Sequence, residues 1–113
     1  MRRPWLSVVM PTYNGERYVG AALESIEREG ADGIEIIAVD DGSTDSTPQI
    51  LESFKTRLPL TVQNPGRLGN WTASTNRAMA SATGEYLCWL HQDDVWRPGR
   101  LRPSPVPGAL HVP

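Results

Sequence analysis

Apolar residues along the chain fall into short runs separated by polar, glycine-rich stretches. Leu6-Ser7-Val8-Val9-Met10 is rich in β-branched residues and meets Pro11, which has no N–H for a ladder, so it reads as a core strand ending at the loop Thr12-Tyr13-Asn14-Gly15. From Glu16 to Glu29 the apolar positions Val19, Ala22, Leu23 and Ile26 recur at spacings of three and four, which predicts a helix with one buried face that Gly30 terminates. Ile34-Glu35-Ile36-Ile37-Ala38-Val39 is a nearly continuous apolar strand, the pattern expected where helices cover both faces of a sheet. It runs straight into Asp40-Asp41-Gly42-Ser43. A second helix follows, capped by Ser43, Thr44 or Asp45, with Pro48 in its first turn and Ile50, Leu51 and Phe54 turned inward. Leu60-Thr61-Val62-Gln63 makes a short third strand, the loop from Asn64 to Asn70 leads to an alanine-rich helix over Trp71 to Ala82 with Gly84 as its stop, and a fourth strand spans Glu85 to Leu90.

Strand and helix alternate, which predicts an α/β fold: a Rossmann-like parallel sheet with helices on both faces and a ligand crevice at the carboxyl ends of the strands. At 113 residues with 39% hydrophobic content the chain suits one domain. A net charge of -2 gives no general attraction to nucleic acid or anionic lipid, so binding has to come from a local site. The one cysteine, Cys88, lies in the apolar run of the fourth strand; it excludes a disulfide framework, reads as a buried thiol and suits a reducing, cytoplasmic setting. The apolar stretch after Arg2-Arg3 is too short for a signal sequence, and no segment approaches the roughly 18 to 20 apolar residues of a membrane span.

The crevice rule brings three polar clusters to one rim: Thr12-Tyr13-Asn14, Asp40-Asp41 and His91-Gln92-Asp93-Asp94. Asp40-Asp41 reads equally well as turn and helix-capping chemistry. Asp93-Asp94 ends an apolar strand, where carboxylates carry a desolvation cost unless a cation or donors offset it. Hard oxygen ligands on a loop suit Mg²⁺ or Mn²⁺ holding a diphosphate. No P-loop lysine or glycine-rich phosphate cradle is present.

Ser7-Val8-Val9-Met10-Pro11-Thr12-Tyr13-Asn14, Val39-Asp40-Asp41-Gly42-Ser43-Thr44-Asp45, Asn76 with Ala80, Gly84-Glu85-Tyr86-Leu87, and Gln92-Asp93-Asp94 with Trp96 and Pro98 stand in order over Leu6 to Leu101. In these segments the chain resembles the family-two glycosyltransferases of GT-A fold. The resemblance implies a nucleotide-diphosphate sugar donor, inverting transfer to a carbohydrate or lipid-linked acceptor, and a Mn²⁺ or Mg²⁺ cofactor. It implies that Pro11 and Tyr13 line the nucleobase pocket, with the Tyr13 ring stacking on the base, and that Asp41 accepts a hydrogen bond from a uracil imide, which favours UDP. Asp93 matches the last carboxylate of the family's DXD metal motif. His91 departs from it, standing where the family usually has Asp; imidazole suits Mn²⁺ better than Mg²⁺, and its other reading is a hydrogen bond to a neighbour or to the ribose. Arg67, in the loop before the third helix, either meets the diphosphate or is a solvated loop charge.

Inverting transfer by this family needs a carboxylate general base, and none follows Asp94, so no catalytic residue is assigned. Residues 1–101 accordingly read as the nucleotide-sugar-binding half of such a domain and 102–113 as a proline-rich, disordered tail that blocks helix and inner strand alike, with the chain cut short before the acceptor half. Two other classes compete: a nucleotide-sugar-binding remnant without turnover, and a Mg²⁺-binding receiver domain. The receiver would need a lysine after a late strand, and the lone lysine, Lys55, falls on the second helix.

Overall fold

The computed structural model describes residues 3–30, 32–67, 69 and 71–99; the proline-rich stretch 102–113 lies outside them. Seven elements follow in the expected order: β1 (Leu6–Thr12), α1 (Val19–Glu29), β2 (Ile34–Asp40), α2 (Thr47–Phe54), β3 (Leu60–Gln63), α3 (Trp71–Ser81) and β4 (Tyr86–Trp89). The strands pair in parallel in the order β3-β2-β1-β4. The first strand of the sequence therefore lies inside the sheet, between β2 and β4. The crevice of a doubly wound sheet opens beyond the carboxyl end of such a strand, where the crossovers leave in opposite directions.

Side chains alternate across the sheet with period two. Leu6, Val8 and Met10 of β1 and Ile34, Ile36 and Ala38 of β2 pack with Val19, Leu23 and Ile26 of α1 and with Leu51 and Phe54 of α2. Val9, Ile37 and Val39 point the other way, onto Ala78 and Met79 of α3. Helices thus cover both faces, and this is why β1 and β2 lack the polar alternation of a half-exposed strand. Among the described residues no helix is long and apolar enough to cross a membrane.

Four details differ from the sequence reading. β1 does not stop at Pro11 but continues through it to Thr12, in register with Val39 and Asp40 of β2. Val9 accepts from Leu90 N–H on the β4 side and Thr12 accepts from Asp41 N–H on the β2 side. Residues of a parallel strand face their neighbours alternately, so Pro11 faces β4 beyond the end of that ladder, where a missing N–H costs nothing. α1 starts at Val19 rather than Glu16, because Glu16 N–H donates to Asp45 and the Glu16 carboxylate accepts Ser46 N–H, tying that turn to the entry of α2. The N-cap of α2 is Ser46, whose side chain makes no capping bond, and not Ser43, Thr44 or Asp45; Asp45 stands one residue earlier, where its Oδ1 accepts both the N–H and the hydroxyl of Thr47. Finally, among the described residues β4 is an edge strand whose Tyr86, Leu87 and Trp89 are exposed, while Cys88 is buried and in no disulfide.

Gly84 also has a different reason from the one its position suggested. α3 ends at Ser81, and a Cβ on Gly84 would stand 2.6 Å from Ser7 Oγ and 2.8 Å from Ser7 N. The absent side chain lets the chain pass against β1 on its way into β4. There Gly84 N–H donates to Ser7 Oγ at 2.8 Å, Ser7 donates to Glu35, and Glu35 also accepts the N–H and hydroxyl of Thr83. One carboxylate on β2 thereby holds β1 and the approach to β4 together. Its partial burial opposes ionisation, but the hydrogen bonds from Ser7, Thr83 and Gly84 outweigh that and hold its pKa below the ordinary 4.5.

A depressed carboxylate pKa contributes stability that is present above the unfolded value and lost as pH falls through the folded one. Wild-type stability should therefore decline below about pH 4.5. Glu35→Ala should cost about 2 kcal/mol near neutral pH, since it strands donors that bonded a charged acceptor, and should flatten the acid limb. Urea unfolding of both proteins from pH 3 to 7 measures this; an unchanged acid limb in the variant counts against the network.

Candidate functional site

A cleft of about 540 Å³ opens at the carboxyl ends of the four strands. Pro11, Thr12 and Tyr13 reach it from β1, Asp41 from β2, Arg67 and Gly69 from the β3–α3 loop, Ser74 from α3, and His91, Gln92 and Asp93 from beyond β4. Pro11, Tyr13, Asp41, Arg67 and Asp93, the five residues selected from the sequence, all line this one space.

The two aspartates after β2 divide the readings that the sequence left open. Asp40 is 3% exposed and turned into the fold, where its carboxylate accepts the hydroxyl of Thr12 at 2.9 Å and the N–H and hydroxyl of Ser43 at 3.1 and 2.6 Å. It is structural. Asp41 is 5% exposed but lines the cleft, and it accepts Gly69 N–H at 3.2 and 3.3 Å. Gly42 sits at φ +73°, a left-handed turn that favours glycine, and the β3–α3 loop packs against it, with the Arg67 backbone 3.4 Å from where a Cβ would stand.

Ser43 also receives Asn14 N–H, and the Asn14 amide oxygen accepts Thr44 N–H at 2.8 Å. Asn14 sits at φ 46°, alone among described non-glycine residues in having positive φ, and this reciprocal pair holds it there. The turn at Asn14 leaves Tyr13 at the mouth of the cleft. Arg67 then takes a place that neither sequence reading assigned: its guanidinium carbon lies 3.7 Å from the centre of the Tyr13 ring and its Nε 3.8 Å from Asp41 Oδ2. It belongs to the Tyr13 and Asp41 end, as a cation on an aromatic face.

Asp93 and Asp94 are both exposed, contrary to the expected desolvation: they stand in the loop beyond β4, which ends at Trp89. Among the described residues no three His, Cys, Asp or Glu side chains converge to hold a metal unaided. An accessible carboxylate at the cleft still fits a hard divalent ion of the kind bound through one or two carboxylates and completed by phosphate oxygens and water. His91 is exposed and lines both this cleft and an adjoining slot beside Trp89 and Met79. Ser74, hidden in an alanine-rich helix, escaped the sequence, and Gln92, although part of the third polar cluster, had no role assigned to its side chain.

A parallel sheet of this order with acidic loops gathered over its central strand has the GT-A architecture of enzymes that handle nucleotide sugars. Residues 7–103 match the model of the family described as glycosyl transferase family 2, and the chain belongs to that family. It is 33% identical over 118 residues to an uncharacterised glycosyltransferase of Nostoc sp., an alignment covering 94% of this chain and 35% of that protein. Among solved structures it is similar to Staphylococcus aureus TarS residues 1–349 in complex with UDP-GlcNAc, at a TM-score of 0.81 and 34% identity over 86% of this chain and 29% of that one. It is also similar to the mannosyltransferase PcManGT of Pyrobaculum calidifontis in complex with GDP-Man and Mn²⁺, at a TM-score of 0.77 and 29% identity over 89% of this chain and 31% of that one. The chain thus spans about a third of the length of these relatives.

The split between the aspartates can be measured. Asp40→Ala leaves buried donors without an acceptor and should cost about 3 kcal/mol, whereas Gly69 N–H and Arg67, which Asp41 meets, are exposed and can turn to water, so Asp41→Ala should cost less. Urea midpoints for the two variants give the comparison, and equal losses would contradict the structural role of Asp40.

Proposed function

We propose that this chain forms the donor site of an inverting glycosyltransferase that moves a sugar from a nucleotide diphosphate, UDP in the first instance, to a carbohydrate or lipid-linked acceptor. The observation that carries the proposal is that Tyr13, Asp41 and Asp93, an aromatic face, a buried carboxylate and an exposed one, line a single cleft. An aromatic ring with a carboxylate beside it suits a pyrimidine: the ring offers a stacking face and Asp41 an acceptor for the imide N–H. Pro11 forms the floor of that pocket and Arg67 its cationic cover. The UDP-GlcNAc complex of TarS supports UDP as donor nucleotide.

Asp93 is assigned to a divalent cation, Mn²⁺ or Mg²⁺, with the Mn²⁺ complex of PcManGT in support. When bound, such an ion neutralises charge on the departing diphosphate as a Lewis acid. The chain's own part is to hold the base with Tyr13 and Asp41, so that the diphosphate is directed toward the loop bearing Asp93. Inverting transfer also needs a general base for the acceptor hydroxyl. With Asp41 on the nucleobase and Asp93 on the metal, no residue of this chain is assigned to that step.

UDP with Mn²⁺ should raise the melting temperature, since a ligand at about 100 times its Kd stabilises the folded state by roughly 2.7 kcal/mol. In calorimetry, Asp41→Ala should weaken UDP with or without Mn²⁺, while Asp93→Asn should remove only the increment that Mn²⁺ adds. No thermal shift from a folded wild-type chain, or the same metal dependence in both variants, would sink the assignment.

A further inference from the structure

Gln92 lies between His91 and Asp93, in the loop assigned to the metal, yet its hydrogen bonds run elsewhere. Its Oε1 accepts Tyr13 N–H at 2.7 Å and its Nε2 donates to the Tyr13 carbonyl at 2.9 Å. A primary amide is the side chain that meets both backbone groups of one residue with matched donor and acceptor. The contact spans 79 positions of sequence and joins the loops after β1 and β4 at the level where β1 has run beyond the β4 ladder. It replaces the strand pairing that is missing there.

The room for it comes from Gly15, where an added Cβ would lie 2.4 Å from Gln92 Oε1 and 2.5 Å from Gln92 Cδ. Two separate positions, one carrying the amide and one lacking a side chain, thus serve the same contact. Tyr13 has no other side-chain bond to its backbone among those described, and Asn14, next to it, is anchored to the β2–α2 loop instead. We infer that Gln92 is a positioning residue for the nucleobase: it sets the Tyr13 backbone, and hence the ring, and it acts on the nucleoside end of the donor although it sits in the metal loop. This rests on the donor-site reading above.

The test measures UDP affinity by calorimetry in EDTA and in Mn²⁺ for the 113-residue chain and its Gln92→Met, Gln92→Glu and Gly15→Ala variants. Methionine keeps the length and removes both bonds; glutamate sets a carboxylate oxygen against the Tyr13 carbonyl. Each variant should bind UDP about tenfold more weakly, as loss of two ordinary hydrogen bonds allows, and by the same factor with and without metal. The double variant Gly15→Ala, Gln92→Met should be no weaker than either single one, because both remove one contact. Melting temperatures confirm that each is folded, and Gly15→Ala, which leaves the amide intact, covers the case in which a Gln92 variant does not fold. A loss confined to Mn²⁺ would place Gln92 with the metal, and unchanged affinity would abolish its role; either overturns the inference while leaving the donor site standing. Wild-type protein that binds no UDP, and so cannot be told from Asp41→Ala, overturns the donor site and this inference together.

Discussion

A carboxylate removed from water has to find donors for its lone pairs, and at Asp40 this requirement organises the carboxyl edge of the sheet. The donors it finds are Thr12 at the end of β1 and Ser43 at the start of the next loop. Meeting them draws the two central strands to a common end. Ser43, engaged on one side, is then available to Asn14 on the other, and Asn14 returns a bond to Thr44. Tyr13 and Asp41 flank this knot and are presented to the cleft by it, so the buried carboxylate shapes a site it does not enter.

The same edge shows how parallel strands handle loops that converge. Four connections arriving over one strand end compete for space, and the chain relieves the crowding by removing a side chain where Gly15 lies under Gln92. At the opposite end of β1, Gly84 does so against Ser7. Each glycine is explained by a neighbour distant in sequence. Gly42 differs, since its own turn at φ +73° asks for glycine.

That distinction marks what could be read from the sequence. Element types and order were legible because burial on both faces imposes a pattern on β1 and β2, and the face of α1 follows from Val19, Ala22, Leu23 and Ile26 alone. The site residues were legible as residues, since strand ends in such a sheet face one rim. Their partners were not. Asp40 and Asp41 are adjacent and identical, and only the third dimension sends one inward and one outward. Arg67 and Gln92 take their places from Tyr13, far along the chain, and Pro11 remains in its strand because the ladder on its unbonded side has already ended. The exposure of Asp93 belongs to the loop beyond β4, about which the apolar pattern of that strand says nothing.

The interior position of β1 also bears on how the molecule is assembled in time. Gln92, which bonds Tyr13 beyond the carboxyl end of β1, and the Trp96 segment, whose N–H donates to Ser25 of α1 across 71 positions, both come late in the sequence. Such closures are slow, because the entropy of a long loop is lost before the contact repays it. A chain emerging from the ribosome can build the β1-α1-β2-α2 layer early, but the rim over β1 stays open until residues beyond 90 arrive. The cleft therefore forms after the β1-α1-β2-α2 layer, and intermediates that lack β4 carry β1 with one ladder unpaired, open to wrong partners during folding.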